Sequence, residues 1–403
     1  MKTKRQILFL VIVIALFPII ACGQFLSKSV PTLSAPTQTP YPPDISYPTT
    51  TPYSTQTPLV SPTSRLLEAD ALIQQGRCTE AMPILNKLIE EQPDWPLAYE
   101  RRGSCNLSFH SNVFTEAQGY LLAALQDANT LIELDPTAGG YYAWRNYILR
   151  QMAPMEIYSV NQFAIYDLAN QDAVKAIELG VDPSSYAYRH YARNLIEGNH
   201  CEEGLAETQK LIDQTTMQSN EFGQYYSVYL TEAYLCLGEL DKALESAQQI
   251  TCDDPVFTCR SALLTEVYFQ SGDYENALDT LNHMIDAQPV TGAWRYFIRA
   301  LIYYKQGERE RALQDLALGD SYSWDGNGVY WYVKAKFAMD AGDKENGIIY
   351  LQKAEQTLDV TYMPFRQQII KELKTYGEEP IVLSPHLPFI VPTLQSIPTK
   401  QIP

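Results

Sequence analysis

Glycines recur at an almost constant interval along the C-terminal half of this chain. Gly238, Gly272, Gly307 and Gly342 stand 34, 35 and 35 residues apart, and five residues after each comes a small residue: Ala243, Ala277, Ala312 and Gly347. Gly76 with Ala81 repeats the pair near the other end, and in three units a proline follows the glycine by 17 residues: Pro93, Pro255 and Pro289. Self-similarity at such a period marks an array of supersecondary units. A glycine takes the left-handed position that ends a helix at little cost. A small residue lets two helices approach closely, and a proline cannot continue the second helix. Between them Leu264, Val267, Tyr268, Leu278, Leu281 and Ile285 keep a helical apolar period. One such hairpin cannot bury its apolar faces alone, so units must stack. The expected fold is all-α, a solenoid of about eight helical hairpins over 65–377.

The period, the glycine, the alanine five residues on and the closing proline resemble the tetratricopeptide-repeat (TPR) family. The resemblance is strongest from Gly238 onward and weaker in the middle. There the second unit has Tyr99, Gly103, Ala124 and Pro136 with extra residues around Phe109–Phe114, the third carries Pro154, and the fourth has Gly198 and Gly204 one residue too far apart. Met363 to Tyr376 reads as a C-terminal capping helix with Ile369, Ile370 and Leu373 inward, as array ends require. The resemblance implies that the first helix of each unit lines a concave, partner-binding face. Its register places Tyr188, Tyr225, Val228, Phe269, Trp294, Phe297, Tyr304 and Tyr332 there. It also implies a protein or peptide partner. The basic carboxylate clamp of chaperone-binding members is missing.

The N-terminus reads as an address. Lys2, Lys4 and Arg5 precede an apolar run of 15 residues, Ile7 to Ala21, interrupted by Pro18. That is a charged region followed by a signal core, and it is short of the roughly 20 residues of a spanning helix. Ile19-Ile20-Ala21-Cys22 resembles the lipobox of bacterial lipoproteins. This implies a signal peptide at 1–21, lipidation of Cys22 and an extracytoplasmic, lipid-anchored protein. The alternative is a plain secretory signal whose first mature cysteine pairs elsewhere. From Pro31 to Ser64 there are nine Pro and nine Thr, with Asp44 the only charge. Such a stretch cannot build a core, so 22–64 is read as a linker, extended to at most about 130 Å, with or without O-glycosylation.

Six cysteines remain, an even number that in an exported chain suggests disulfides. By repeat register Cys78 opens a second helix while Cys105 lies in the following first helix. Cys201 and Cys236 repeat that relation, and Cys252 and Cys259 flank Pro255 at a turn. The expected pairs are Cys78–Cys105, Cys201–Cys236 and Cys252–Cys259, with buried free thiols as the alternative.

The formal net charge is −17; removal of the leader would take away Lys2, Lys4 and Arg5 and no acid, leaving −20. That excess argues against general nucleic-acid binding, which needs cations to neutralise phosphates. Phosphate-loop, dinucleotide, zincin and nucleophile-elbow motifs are all missing. The five His have no ligand spacing, and Asp325-Gly326-Asn327-Gly328 lacks the later ligands of a calcium loop. No enzyme activity, metal or cofactor is expected. The function class is therefore a protein–protein interaction scaffold, with an envelope glycan-binding protein or an accessory enzyme subunit as the alternative, since aromatics serve sugars equally well. The tail, 378–403, holds six Pro among Ile381, Val382, Leu383, Phe389 and Ile390. It cannot be helical and either stays loose or lies along the solenoid.

Overall fold

The computed structural model describes residues 61–109, 114–181, 186–215, 220–250, 259–287, 292–321 and 327–387. Cys22, the leader, the linker up to residue 60, Cys252 and residues 388–403 lie outside them.

Among the described residues sixteen helices pair in sequence: α1 (Pro62–Gln74) with α2 (Cys78–Glu91), α3 (Pro96–Ser108) with α4 (Phe114–Leu134), α5 (Gly139–Met152) with α6 (Ser159–Glu178), and α7 (Tyr186–Glu197) with α8 (Cys201–Thr215). They continue as α9 (Asn220–Leu237) with α10 (Leu240–Gln248), α11 (Cys259–Ser271) with α12 (Tyr274–Ala287), α13 (Ala293–Lys305) with α14 (Arg309–Asp320), and α15 (Gly328–Asp340) with α16 (Lys344–Thr357). A seventeenth, α17 (Met363–Thr375), closes the array, with Ile369 and Leu373 fully buried and Ile370 partly exposed. Among the described residues there is no strand.

The glycine register is a backbone register. Gly76, Gly238, Gly272, Gly307 and Gly342 all have φ between 72° and 82° at the end of a first helix. The fourth pair shows why its glycines seemed one residue too far apart. Asn199, not Gly198, takes the left-handed position, with φ 69°, a role asparagine fills when glycine does not. Gly204 then falls five residues later, in register. A β-carbon on Gly204 would stand 2.5 Å from Ile196 Cγ1, and one on Gly347 would stand 2.7 Å from the Met339 side chain. The small residue is thus set by helix–helix contact.

Two helix starts are set by caps. The first helix begins before residue 65: Ser61 caps α1 by accepting a hydrogen bond from Ser64 N–H, while Pro62 sits in the first turn, where its missing donor costs nothing. Asn327 is the cap of α15, accepting from Tyr330 N–H at 3.1 Å. Pro154 produces a break: α5 stops at Met152 and a single 3₁₀ turn, Ala153–Met155, leads to α6.

A polar ladder ties neighbouring pairs together. Arg102 on α3 donates to Asp127 on α4 and to Asn86 on α2. Arg145 on α5 donates to Asp172 on α6 at 2.7 and 2.8 Å and to Asn129 on α4. Arg299 on α13 does the same with Asp315 on α14 and Asn282 on α12. In each case a tyrosine three residues before the arginine, Tyr99, Tyr142 or Tyr296, lies under the guanidinium. The pattern Tyr-x-x-Arg with a later Asp is legible in sequence but escaped the repeat analysis, which followed only small and apolar positions.

Two disulfides staple the array as the register implied. Cys78–Cys105 joins α2 to α3 and Cys201–Cys236 joins α8 to α9, with Cα separations of 5.3 and 6.2 Å. The third expected pair, Cys252–Cys259, lies outside the described residues because Cys252 does.

Candidate functional site

The first helices of the middle pairs do not present an open face. The segment between α16 and α17 crosses them. Ser159, at the start of α6, donates through Oγ to the main-chain carbonyls of Gln356 and Leu358, at 2.9 and 2.6 Å. Gln270 on α11 donates to the carbonyl of Thr361 at 2.7 Å. Val360 and Met363 insert among Cys201, Cys236, Phe163 and Leu237, and Pro364 packs over Gly238. The crossing segment, 358–365, contains a 3₁₀ turn over Val360–Tyr362. The eighth pair therefore touches the third, and the superhelix turns back on itself. The chain after α17 follows: His386 N–H donates to Asn161 Oδ1 on α6 at 2.9 Å, and Leu387 packs on the α4–α6 cluster. The tail thus touches the solenoid at His386 and Leu387, while Ile381 and Val382 stay exposed.

This closure corrects the expected aromatic groove. Phe269 is buried beneath Tyr362 and Phe365, with Phe365 edge-on at 5.8 Å. Tyr332 is buried against Phe365 at 4.9 Å and donates to Glu372 on α17. Phe297 is 1% exposed, wedged between Tyr330 and the space at Gly319, where a β-carbon would stand 2.1 Å from its ring. Val228 is buried too. These four serve packing because the chain's own C-terminal elements and neighbouring helices cover them. Trp294 and Tyr304 remain partly exposed, Trp294 beside Arg295 and Tyr304 donating to Asp340 at 2.7 Å. Tyr225 is partly buried against the α8–α11 cluster. Tyr188 is on α7, with its side chain outside those described.

Charge, not aromaticity, distinguishes the covered face. Arg150 on α5 pairs with Glu197 on α7 at 2.9 Å. Arg193 on α7 reaches Glu197 at 3.1 Å and Glu232 on α9 at 2.9 Å. Arg150 also donates to Asn194. Further along the face stands Glu266 on α11, to which the Thr361 and Tyr362 hydroxyls donate, and Asp359 of the crossing segment lies beside it. Asp359 itself is exposed to water. Glu197 and Glu232 thus share the two guanidiniums, with Glu266 and Asp359 adding acid farther along the face. Burial opposes the Arg193 charge, but Glu197 and Glu232 outweigh it and hold it ionised. Burial pushes Glu232 up to about 7 against the pull of Arg193. It pushes Glu266 up to about 8, with the Thr361 and Tyr362 hydroxyls offsetting this only in part and Asp359 and Glu232 adding to the rise.

These two shifts carry a sign. A carboxyl raised in the folded chain holds a proton that the unfolded chain, with pKa about 4.3, has already released. Stability is therefore greatest below that value, falls as pH rises through 7 and 8, and levels off above. The slope is up to about 1.4 kcal/mol per pH unit for each retained proton. Urea unfolding of the oxidised chain from pH 5 to 8 is expected to show this loss, and Glu266→Gln to flatten it. A stability that rises across that window would contradict the assignment.

Among the described residues, no group of three or more His, Cys, Asp or Glu is placed to hold a metal ion, and no helix is long and apolar enough to cross a membrane. An open depression of about 570 Å³ between α8 and α9, lined by Glu202, Leu205, Gln209, Tyr234 and Glu239, brings together no catalytic constellation.

No family model and no curated protein matches the sequence. Among solved structures, human IFIT1 in complex with m7Gppp-AAAA is 16% identical, covering 76% of this chain and 70% of that one with a TM-score of 0.50. A tetratricopeptide repeat protein from Parabacteroides merdae is 15% identical over 78% of this chain and 98% of its own, with a TM-score of 0.35. YrrB, described as a TPR protein with an unusual peptide-binding site, is 20% identical over 51% of this chain and 93% of its own, with a TM-score of 0.33. Helix pairing, the left-handed register and the likeness to IFIT1 agree: this chain has an all-α helical-repeat fold of the tetratricopeptide type.

Proposed function

We propose that this chain is an exported scaffold, held at a bacterial membrane by lipid on Cys22 and lifted from it by the Pro/Thr-rich linker, whose solenoid face holds a short segment of a protein partner. One observation carries the reading: the face already holds a short segment of chain, its own residues 358–365, which make a 3₁₀ turn at Val360–Tyr362 and enter α17 at Met363. Ser159 and Gln270 grip main-chain carbonyls there, contacts that any peptide can make, while apolar pockets take Val360 and Met363. Main-chain bonds for affinity and side-chain pockets for specificity are the usual division in peptide recognition. Two disulfides suit an oxidising compartment. The glycan reading loses support because Phe269, Phe297 and Tyr332 are buried and offer no sugar platform. The RNA bound by IFIT1 is not carried over, because this face has more acids than bases and the net charge is −17.

The test is a labelled peptide spanning 356–368, titrated by fluorescence anisotropy into the oxidised chain and into a Met363→Ala/Phe365→Ala variant with a loosened crossing segment. At least tenfold tighter binding to the variant is expected, because the resident segment competes in the parent. Absence of binding to both would refute the groove. The anchor is tested by metabolic palmitate labelling, which Cys22→Ala should abolish.

A further inference from the structure

The resident segment is a poor electrostatic match for the face it covers. Glu266 receives hydroxyl donors and no cation, and its two strongest charged neighbours, Asp359 and Glu232, are both acids. Glu266 Oε2, Glu232 Oε2 and Gln270 Oε1 are buried and lack a hydrogen-bond donor. All three are acceptors on adjacent first helices. The nearby cations are committed elsewhere: Arg150 and Arg193 to Glu197 and Glu232, Arg366 to Glu355, and Lys336 to Glu372. When the segment leaves it removes Asp359. Glu197, Glu232 and Glu266 then face Arg150 and Arg193, one carboxylate in excess.

We propose that the face is built to take a short, turned segment bearing a single basic side chain between apolar residues, with that side chain at the place Thr361 now occupies. An ammonium brings three donors and a positive charge, which answers the unfilled acceptors and the surplus acid together. Thr361 itself is only partly buried, so a longer side chain can enter without displacing the main chain that Gln270 grips. The apolar flanks correspond to the sites of Val360 and Met363. A basic partner also fits the protonation of the closed state. Burial holds the Glu266 proton up to about 8, and a neighbouring cation lowers a carboxyl by roughly 1–3 units, so the cation replaces the proton. The inference rests on the peptide-binding reading above.

The test uses the chain as its own host. Thr361→Lys and Thr361→Met are compared in the full oxidised chain by hydrogen exchange of residues 356–377 at pH 5 and pH 8, with α13 and α14 as internal reference for an intact fold. The lysine variant is expected to exchange at least tenfold more slowly than the methionine variant at pH 8 and to lose most of its pH dependence. Adding Glu266→Gln should abolish the advantage. Equal or better protection by methionine, or an advantage that survives Glu266→Gln, overturns the proposal. Two labelled peptides of 356–368, the parent and its lysine analogue, separate the two readings. Equal binding of both leaves the groove standing and removes the charge preference. Protection by lysine within the chain, with no binding of either peptide, does the reverse.

Discussion

Replacing Arg145 with alanine is expected to destabilise the chain by about 3–5 kcal/mol in urea unfolding, the usual consequence of removing one partner of a buried ion pair. Arg145 and Asp172 are each 1% exposed. Burial pushes the Asp172 carboxyl up, and the two guanidinium hydrogen bonds only partly offset this. Without Arg145 the carboxylate and Asn129 lose their donors in a dry interface between the second and third pairs. The conservative control is Arg145→Met with Asp172→Leu, which removes both charges and keeps the volume. It should recover most of the loss, because a buried pair gains little over well-packed apolar groups. Recovery by the double variant separates desolvation from packing; equal damage by both variants would place the energy in shape instead. The exposed pair Arg77–Glu80 is the negative control, and Arg77→Ala should leave stability unchanged.

Removing the disulfides is the second large effect. Cys78–Cys105 closes a loop of 27 residues and Cys201–Cys236 one of 35. Chain entropy alone assigns each about 3.5–4 kcal/mol. The two should differ in kind. Cys78→Ser/Cys105→Ser releases an end unit of a quasi-one-dimensional array, so unfolding should become local, with α1 and α2 opening before the rest. Cys201 and Cys236 lie beneath Val360 and Met363, in the middle of the array and under the crossing segment. Their serine variants should lower the main transition and speed exchange in 356–377 together. Hydrogen exchange resolved by segment checks both. A uniform response to either removal would contradict the modular account.

The same contrast separates what sequence could reveal from what it could not. Helix pairing was legible because its causes are local. A left-handed glycine, a small residue five positions later and an apolar period each act within one hairpin, and one hairpin repeats. The fourth pair stayed unclear because Asn199 stands where five of the other pairs use glycine. Two cysteine pairs were legible for the same reason, since each joins adjacent units whose register was known. The arginine ladder was equally local, Tyr-x-x-Arg with a later Asp, and needed attention to polar repeats.

The functional face was different. Register alone put Phe269, Phe297 and Tyr332 on an open aromatic surface, and they are buried. What buries Phe269 and Tyr332 comes from residues 358–365 and α17. The same segment bonds to Ser159, 199 positions before Leu358. Sequence by itself determined the unit, its approximate repeat number and two of its staples, because hydrogen bonding and packing within about 35 residues dictate them. Only the tertiary structure decided that the array closes on its own C-terminal segment and that Glu197, Glu232 and Glu266 gather with two arginines along the face it covers. Small rotations at every unit add up over the whole solenoid, and no single unit records their sum.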